Sequence, residues 1–388
     1  MTTFLKTVPW RWVLPPVLLG GLLALLLTVN PAHLLNVNAP PLESLTVERT
    51  VLNQDGITLQ VRAEGSEPMQ LAQVQIDGAY WAFTQRPPGP LPRLATATVQ
   101  IPYPWVEGEA HHLTLLTNTG ITFDHTIDVA LPTPGFALAT LLSYGWLGLY
   151  VGLIPVGLGM LCYPYLRVLG QRGLAFVLTL TLGMLAFLLV DTLQEGLELA
   201  AKAAIAFQGQ ALVWLSATVA FLTLLAMGRR PGKAPEGTAL STYMALGIGL
   251  HNLGEGLAIG TAFALGELAL GSFLVIGFTL HNLTEGLGIV APLLKQKLRW
   301  PTFVMLAALA GLPAVVGLWG GAFAFSPHWA ALFLGMGVGS ILQVIVEVGS
   351  YLQRQLRQSA RGEWSGLSLI GFTTGLLVMY STALLVKF

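Results

Sequence analysis

Two patterns of apolar and polar positions divide this chain. Between about residues 44 and 131, apolar and polar residues alternate in short runs: Leu45 to Val51, Ile57 to Arg62, Leu71 to Ile76, Ala97 to Ile101, His112 to Thr117 and Ile121 to Ile127. Turn-forming clusters separate the runs, at Asn53–Gly56, Asp77–Gly78, Pro87–Pro90, Glu107–Gly108 and Asn118–Gly120. Alternation with period two marks half-buried strands, and about seven of them with frequent turns predict a small antiparallel β-sandwich, immunoglobulin-like in its strand number. Pro132-Thr133-Pro134-Gly135 reads as a linker. From Phe136 onward the pattern changes to eight long apolar segments, at about 136–162, 173–196, 207–228, 238–265, 270–294, 301–325, 328–350 and 366–387. Each is long enough to cross a bilayer as a helix.

Composition fits this division. The chain has 388 residues, 54% of them hydrophobic and only 10% charged, and a mean hydropathy of +0.69. The fold class expected is an all-α polytopic membrane protein with an added β-sandwich. Net charge is zero, so nothing suggests a nucleic-acid partner. A single cysteine, Cys162, excludes an intrachain disulfide and a cysteine-based metal centre. Residues 1–30 carry Lys6 and Arg11 before an apolar run from Val13 to Val29. Thr28-Val29-Asn30-Pro31 is a poor cleavage sequence, so an uncleaved anchor is preferred over a signal peptide.

Basic residues set the expected orientation. Arg167 and Arg172 follow the first long segment; Arg229, Arg230 and Lys233 follow the third. Lys295, Lys297 and Arg299 follow the fifth, and Arg354, Arg357 and Arg361 the seventh. The alternate loops carry almost none, Lys202 excepted. The positive-inside rule then puts all four basic loops and the N-terminus in the cytoplasm, with the sandwich and the C-terminus outside a plasma membrane.

The candidate chemistry is a motif written twice. His251-Asn252-Leu253-Gly254-Glu255-Gly256 returns as His281-Asn282-Leu283-Thr284-Glu285-Gly286, near the middle of the fourth and fifth long segments. Positions i, i+1 and i+4 of a helix fall at about 0°, 100° and 40° around its axis, so His, Asn and Glu share one face. Two such faces opposed offer imidazole, amide and carboxylate ligands, which suit a divalent transition metal. A lone histidine in such a helix is as readily an interhelical hydrogen-bonding residue. A repeated acid at mid-membrane depth is costly and argues for function. Antiparallel neighbours with the same motif are also what an inverted repeat produces, with its site at the pseudo-twofold axis. Gly254, Gly256, Ala258, Gly260, Gly286 and Gly288 are expected to let the two motif helices approach each other closely.

Other polar positions fall around this pair. Asp191 and Glu195 lie toward the outer end of the second long segment, as a cation entrance or as a solvated interfacial pair. Gln343 and Glu347 lie toward the inner end of the seventh, as an exit, unless Glu347 pairs with Arg354. His111, His112, Asp124 and His125 in the sandwich suit metal capture or plain solvent-facing positions. Trp81, Tyr103 and Trp105 suit packing better than a ligand cage.

The paired His-Asn-x-x-Glu-Gly motifs resemble the signatures of the ZIP (Zrt/Irt-like) divalent-metal transporters, in their prokaryotic flavour. Gly183–Glu195 resembles that family's second helix and Gly339–Glu347 its seventh, and eight core helices with an outside C-terminus also fit. The resemblance covers about 136–388. It implies that His251, Asn252, Glu255, His281, Asn282 and Glu285 line a one- or two-metal site, with Glu255 and Glu285 placed to bridge two ions. It also implies that one helix bundle rocks against another to carry the cation into the cytoplasm. Zinc is the leading substrate, with iron, manganese, cobalt or cadmium as others; no resident cofactor is expected. There are departures. Many relatives carry a Glu on the sixth helix where this chain has Ala314, within Gly311-Leu312-Pro313-Ala314-Val315-Val316-Gly317. Asp191 and Gln194 replace the usual His and Pro. The Gly228–Gly237 loop has no histidine sensor, and the sandwich is not part of the family core.

The expected function is therefore import of divalent cations, not enzymatic chemistry, with divalent metal ions and the lipid bilayer as partners and a homodimer left open. Neutral histidine is required for binding, so transport is expected to weaken as pH falls through about 6.5. The rivals are a metal-sensing receptor on a transporter-like core and an intramembrane hydrolase, the latter disfavoured because no His-Glu-x-x-His sequence occurs.

Overall fold

The computed structural model describes residues 10–28, 42–229, 235–265, 268–294, 296–324, 326–358 and 366–386. Lys6, Val29, Asn30, Pro31, Arg230, Lys233, Lys295 and Arg361 lie outside the described residues. Met1–Leu42 is a compact unit by itself, separate from Glu43–Phe388. Within it, α1 (Trp10–Thr28) covers 19 residues, as the apolar run predicts.

The sandwich has eight strands: β1 (Leu45–Asn53), β2 (Gly56–Ala63), β3 (Leu71–Ile76), β4 (Ala79–Trp81), β5 (Thr84–Arg86), β6 (Thr96–Ile101), β7 (His111–Thr117) and β8 (Thr122–Ile127). The alternation misses β4 and β5, which are three residues each, too short for a period of two to register. The strands form two antiparallel four-stranded sheets, β1-β2-β6-β5 and β4-β3-β7-β8. That order is the one found in immunoglobulin-type sandwiches. Inward positions alternate along β2, β6 and β7, with Ile57, Leu59 and Val61 of β2 facing the same core as Val74, Ile76, Leu113 and Leu115. The β3–β4 hairpin closes through Asp77 (φ 51°) and Gly78 (φ 81°), the left-handed pair that a tight two-residue hairpin requires.

Asp77 also ties this corner together. Its Oδ1 accepts from the His112 backbone N–H at 2.9 Å, while Oδ2 meets His111 Nδ1 at 2.9 Å and accepts from the Tyr103 hydroxyl at 3.0 Å. These bonds, the His112 backbone bond foremost, hold its carboxyl below the ordinary 3.8. The folded state then binds fewer protons than the unfolded chain. Its stabilising contribution is complete above pH about 4 and fades as pH falls through the lowered folded value. Asp77→Ala is expected to lower the sandwich's unfolding temperature at pH 7 and to flatten its loss below pH 4, as read by calorimetry on the full chain. Trp105 donates from Nε1 to the Asn53 carbonyl and Trp81 packs edge-on against Tyr103, so the aromatic residues here serve packing.

Eight helical segments follow. The first, α2 (Leu138–Val168), is broken. It widens to a π turn at Leu149–Leu153 and restarts after Cys162. The others are α3 (Gly170–Ala201), α4 (Gly209–Gly228), α5 (Gly237–Ala264), α6 (Leu268–Val290), α7 (Trp300–Ala324), α8 (Pro327–Gln358) and α9 (Gly366–Val386). Among the described residues seven helices are long and apolar enough to cross a membrane. The motif helix α5, though 28 residues long, is not one of them. Six glycines with His251, Asn252 and Glu255 lower its hydropathy, and 18 of its residues are buried. It lies inside the bundle, so it meets other helices where the outer ones meet lipid.

The glycines of the motif helices do not join α5 to α6 as expected. A Cβ at Gly256 or Gly260 would strike the backbone carbonyl of Ala314 or Leu318 on α7, and one at Gly317 or Gly321 would strike that of Leu253 or Leu257 on α5. Gly286 of α6 and Gly159 of α2 interlock in the same way, against Val156 and Leu283. Close backbone approach at small residues thus forms two pairs, α5 with α7 and α6 with α2.

The two ends of the bundle differ. The sandwich docks at one. Arg49 donates to the Phe323 carbonyl at 2.6 Å, and Glu64 accepts from the Ala206 N–H at 3.1 Å. The Phe207 ring lies under the Arg62 guanidinium and stacks on His328. At the other end the contacts among the described residues include Tyr163 hydroxyl to the Gln296 carbonyl, Thr238 Oγ1 to Gln296 Oε1 at 3.0 Å, and Arg354 to the Pro235 carbonyl at 3.4 Å. The described positions of the basic loops, Arg167, Arg172, Arg229, Lys297, Arg299, Arg354 and Arg357, belong to this second end.

Candidate metal site

Helices α5 and α6 bring the two motifs together. His251, Asn252, Glu255, His281, Asn282 and Glu285 are each 4% exposed or less. One carboxylate organises the cluster: Glu255 Oε1 lies 2.9 Å from His251 Nε2 and 2.5 Å from His281 Nε2. The two imidazole centroids are 6.1 Å apart. Glu285 is placed differently. Neither of its oxygens has a hydrogen-bond partner among the described residues, yet it closes a group with His251 and His281 whose ligand atoms all lie within 4.8 Å of one another. Ligands of a tetrahedral zinc, at about 2.0–2.1 Å from the metal, stand roughly 3.4 Å apart. Side-chain rotation of about an ångström would close the difference.

The asparagines orient the motif. Asn252 Nδ2 donates to the Ala310 carbonyl on α7, and Asn282 Nδ2 to the Val151 carbonyl on α2, both at 3.0 Å. Pro155 lacks the N–H that would bond Val151, which leaves that carbonyl free for Asn282. Both Oδ1 atoms have no hydrogen-bond partner among the described residues. The amides are thus pinned by their nitrogens and present their oxygens. Asn282 Nδ2 also reaches Glu255 Oε2, at 3.4 Å.

An unpartnered buried carboxylate such as Glu285 costs several kcal/mol when ionised, a cost that either a proton or a bound cation relieves. Ala314 is buried at the α2–α5–α7 junction with Gly152 against its side chain. No carboxylate comes from α7 at this position.

The outlying residues fall on either side. Asp191 is exposed and Glu195 half-buried on α3, toward the sandwich end. Gln343 is buried on α8 against Gly247 of α5, one turn before His251; both its side-chain amide atoms have no hydrogen-bond partner among the described residues. Glu347, one turn further, is fully buried with Arg229 Nε at 3.8 Å. Arg354, expected as its ion-pair partner, instead donates to Pro235, though its charge still reaches Glu347. In the sandwich, His111, His112 and Asp124 are engaged with Asp77, Thr126 and Thr114, and His125 with Thr50. They do not converge on one point. The reading from sequence missed Arg229 and the acceptor carbonyls. Pro155 was the visible signal for the Val151 carbonyl.

Fold and site define a polytopic helical membrane protein with an immunoglobulin-type sandwich and a buried His/Glu cluster. The chain matches no known family model, and no curated protein matches it.

Proposed function

We propose that this protein imports divalent transition-metal cations, zinc foremost, through the His251/Glu255/His281/Glu285 site, as the resemblance to ZIP transporters implies. The observation that carries the reading is the convergence of His251, His281 and Glu285 with an unpartnered carboxylate, inside a bundle of apolar helices. A cation arriving from the sandwich side passes Asp191 and Glu195 and exchanges its water for imidazole and carboxylate. It leaves past Gln343 and Glu347 into the cytoplasm. Ligand atoms that gather about one point favour a single ion at a time. The two motifs ride on different glycine-joined pairs, α5/α7 and α6/α2, so relative motion of the pairs opens the site.

The test is zinc uptake into proteoliposomes carrying the purified protein. Saturable flux is expected for the wild type and none for folded His251→Ala/His281→Ala. Zinc binding without flux in the wild type would overturn import and favour a receptor.

A further inference from the structure

We propose that Arg229 is a built-in competitor for the exit carboxylate, a tethered cation that keeps Glu347 from trapping the transported ion. The inference rests on the import reading for its kinetic part and stands alone for its binding part. Glu347 is fully buried and its oxygens have no hydrogen-bond partner among the described residues. Gln343, one helical turn closer to the metal site, presents an amide oxygen likewise without a partner. A buried carboxylate with an amide oxygen beside it, in a medium of low dielectric, is a cation site in its own right. A divalent ion coming from His251 would stop there.

The guanidinium placement answers this. Arg229 Nε stands 3.8 Å from Glu347 Oε1, near enough to neutralise it and beyond hydrogen-bond distance. Its side chain is 48% exposed, so it withdraws into water at little cost. A tightly bonded arginine would block the exit, and none at all would leave a sink. Arg354 adds charge from the same end, held by its bond to the Pro235 carbonyl. The loose pair lets an incoming cation displace Arg229 and lets Arg229 in turn displace the cation.

The experiment compares wild type, Arg229→Gln, Glu347→Gln, the double variant and Arg229→Lys, all full-length. Calorimetry with zinc alone is expected to give Arg229→Gln one more bound ion than wild type, and the double variant to lose it. Arg229→Lys, which keeps the charge, should bind as wild type does. In proteoliposomes, turnover at saturating zinc should fall at least tenfold in Arg229→Gln, recover in the double variant, and fall less in Glu347→Gln. A pair that only staples two helices would lose equally from either single change and would not recover. That result, or an unchanged zinc stoichiometry in Arg229→Gln, overturns the proposal. If Arg229→Gln does not fold, Glu347→Gln decides: a tenfold loss there overturns it. Absent flux in the wild type overturns import instead, and leaves the calorimetric arm to judge Arg229.

Discussion

Glu255→Gln and Glu285→Gln are both expected to abolish zinc flux, yet to move the stability of the metal-free protein in opposite directions. Glu255 Oε1 is hydrogen-bonded to His281 Nε2 at 2.5 Å and lies 2.9 Å from His251 Nε2. Neutralising it leaves two buried imidazoles facing a weaker partner, and breaking a buried polar network by removing one member is destabilising. Glu285 has no hydrogen-bond partner among the described residues to lose. Replacing its carboxylate by an amide removes a desolvated charge and should raise the melting temperature. Each change deletes a charged ligand, so zinc affinity should fall by at least about 100-fold, roughly 2.7 kcal/mol. Melting curves with and without chelator, beside zinc titrations, read both effects. Two shifts of the same sign would refute the assignment of Glu285 as the free ligand and Glu255 as the organiser.

The second large effect concerns packing. Gly256→Val and Gly286→Val are expected to disrupt the bundle, because even the first added carbon would meet a backbone carbonyl on the neighbouring helix. Backbone cannot swing aside as a side chain can, so the helices must separate. Overpacking costs about 1–3 kcal/mol in ordinary cores, and the upper end is expected here. Gly320→Ala on α7 is the control, since nothing lies within 4 Å of its added carbon. Size-exclusion profiles and melting temperatures should show the two valine variants heterogeneous and labile and the control unchanged. Zinc binding should vanish with them, because His251 and Glu255 move with α5.

Much of this architecture was legible because membranes and sheets impose simple periods. The strands from β1 to β3 and β6 to β8 appear at their expected places, since one buried face forces alternation over six residues or more. β4 and β5 escape because three residues hold no period. The apolar helices are visible because lipid admits little else on their outer faces. α5 was found through its motif and segment length, while its hydropathy sets it apart from the lipid-facing seven. His251, His281 and Glu285 gather on facing helices, as the helical wheel suggests. The bonds that orient the asparagines were not legible, because the acceptor carbonyls of α2 and α7 lie more than 50 residues away. The glycines were read as joining α5 to α6, but spacing along one helix does not say which neighbour it approaches. Arg229 was counted only as a topological charge, because its partner lies 118 positions further on.

Phe207, gripped between Arg62 of the sandwich and His328 at the start of α8, belongs to the turn between α3 and α4. Arg49 holds the last turn of α7 from the same sheet. The sandwich therefore acts as a yoke laid across two hairpins of the bundle. Two turns tied to one sheet cannot part without breaking these contacts, so the sandwich braces this end of the bundle.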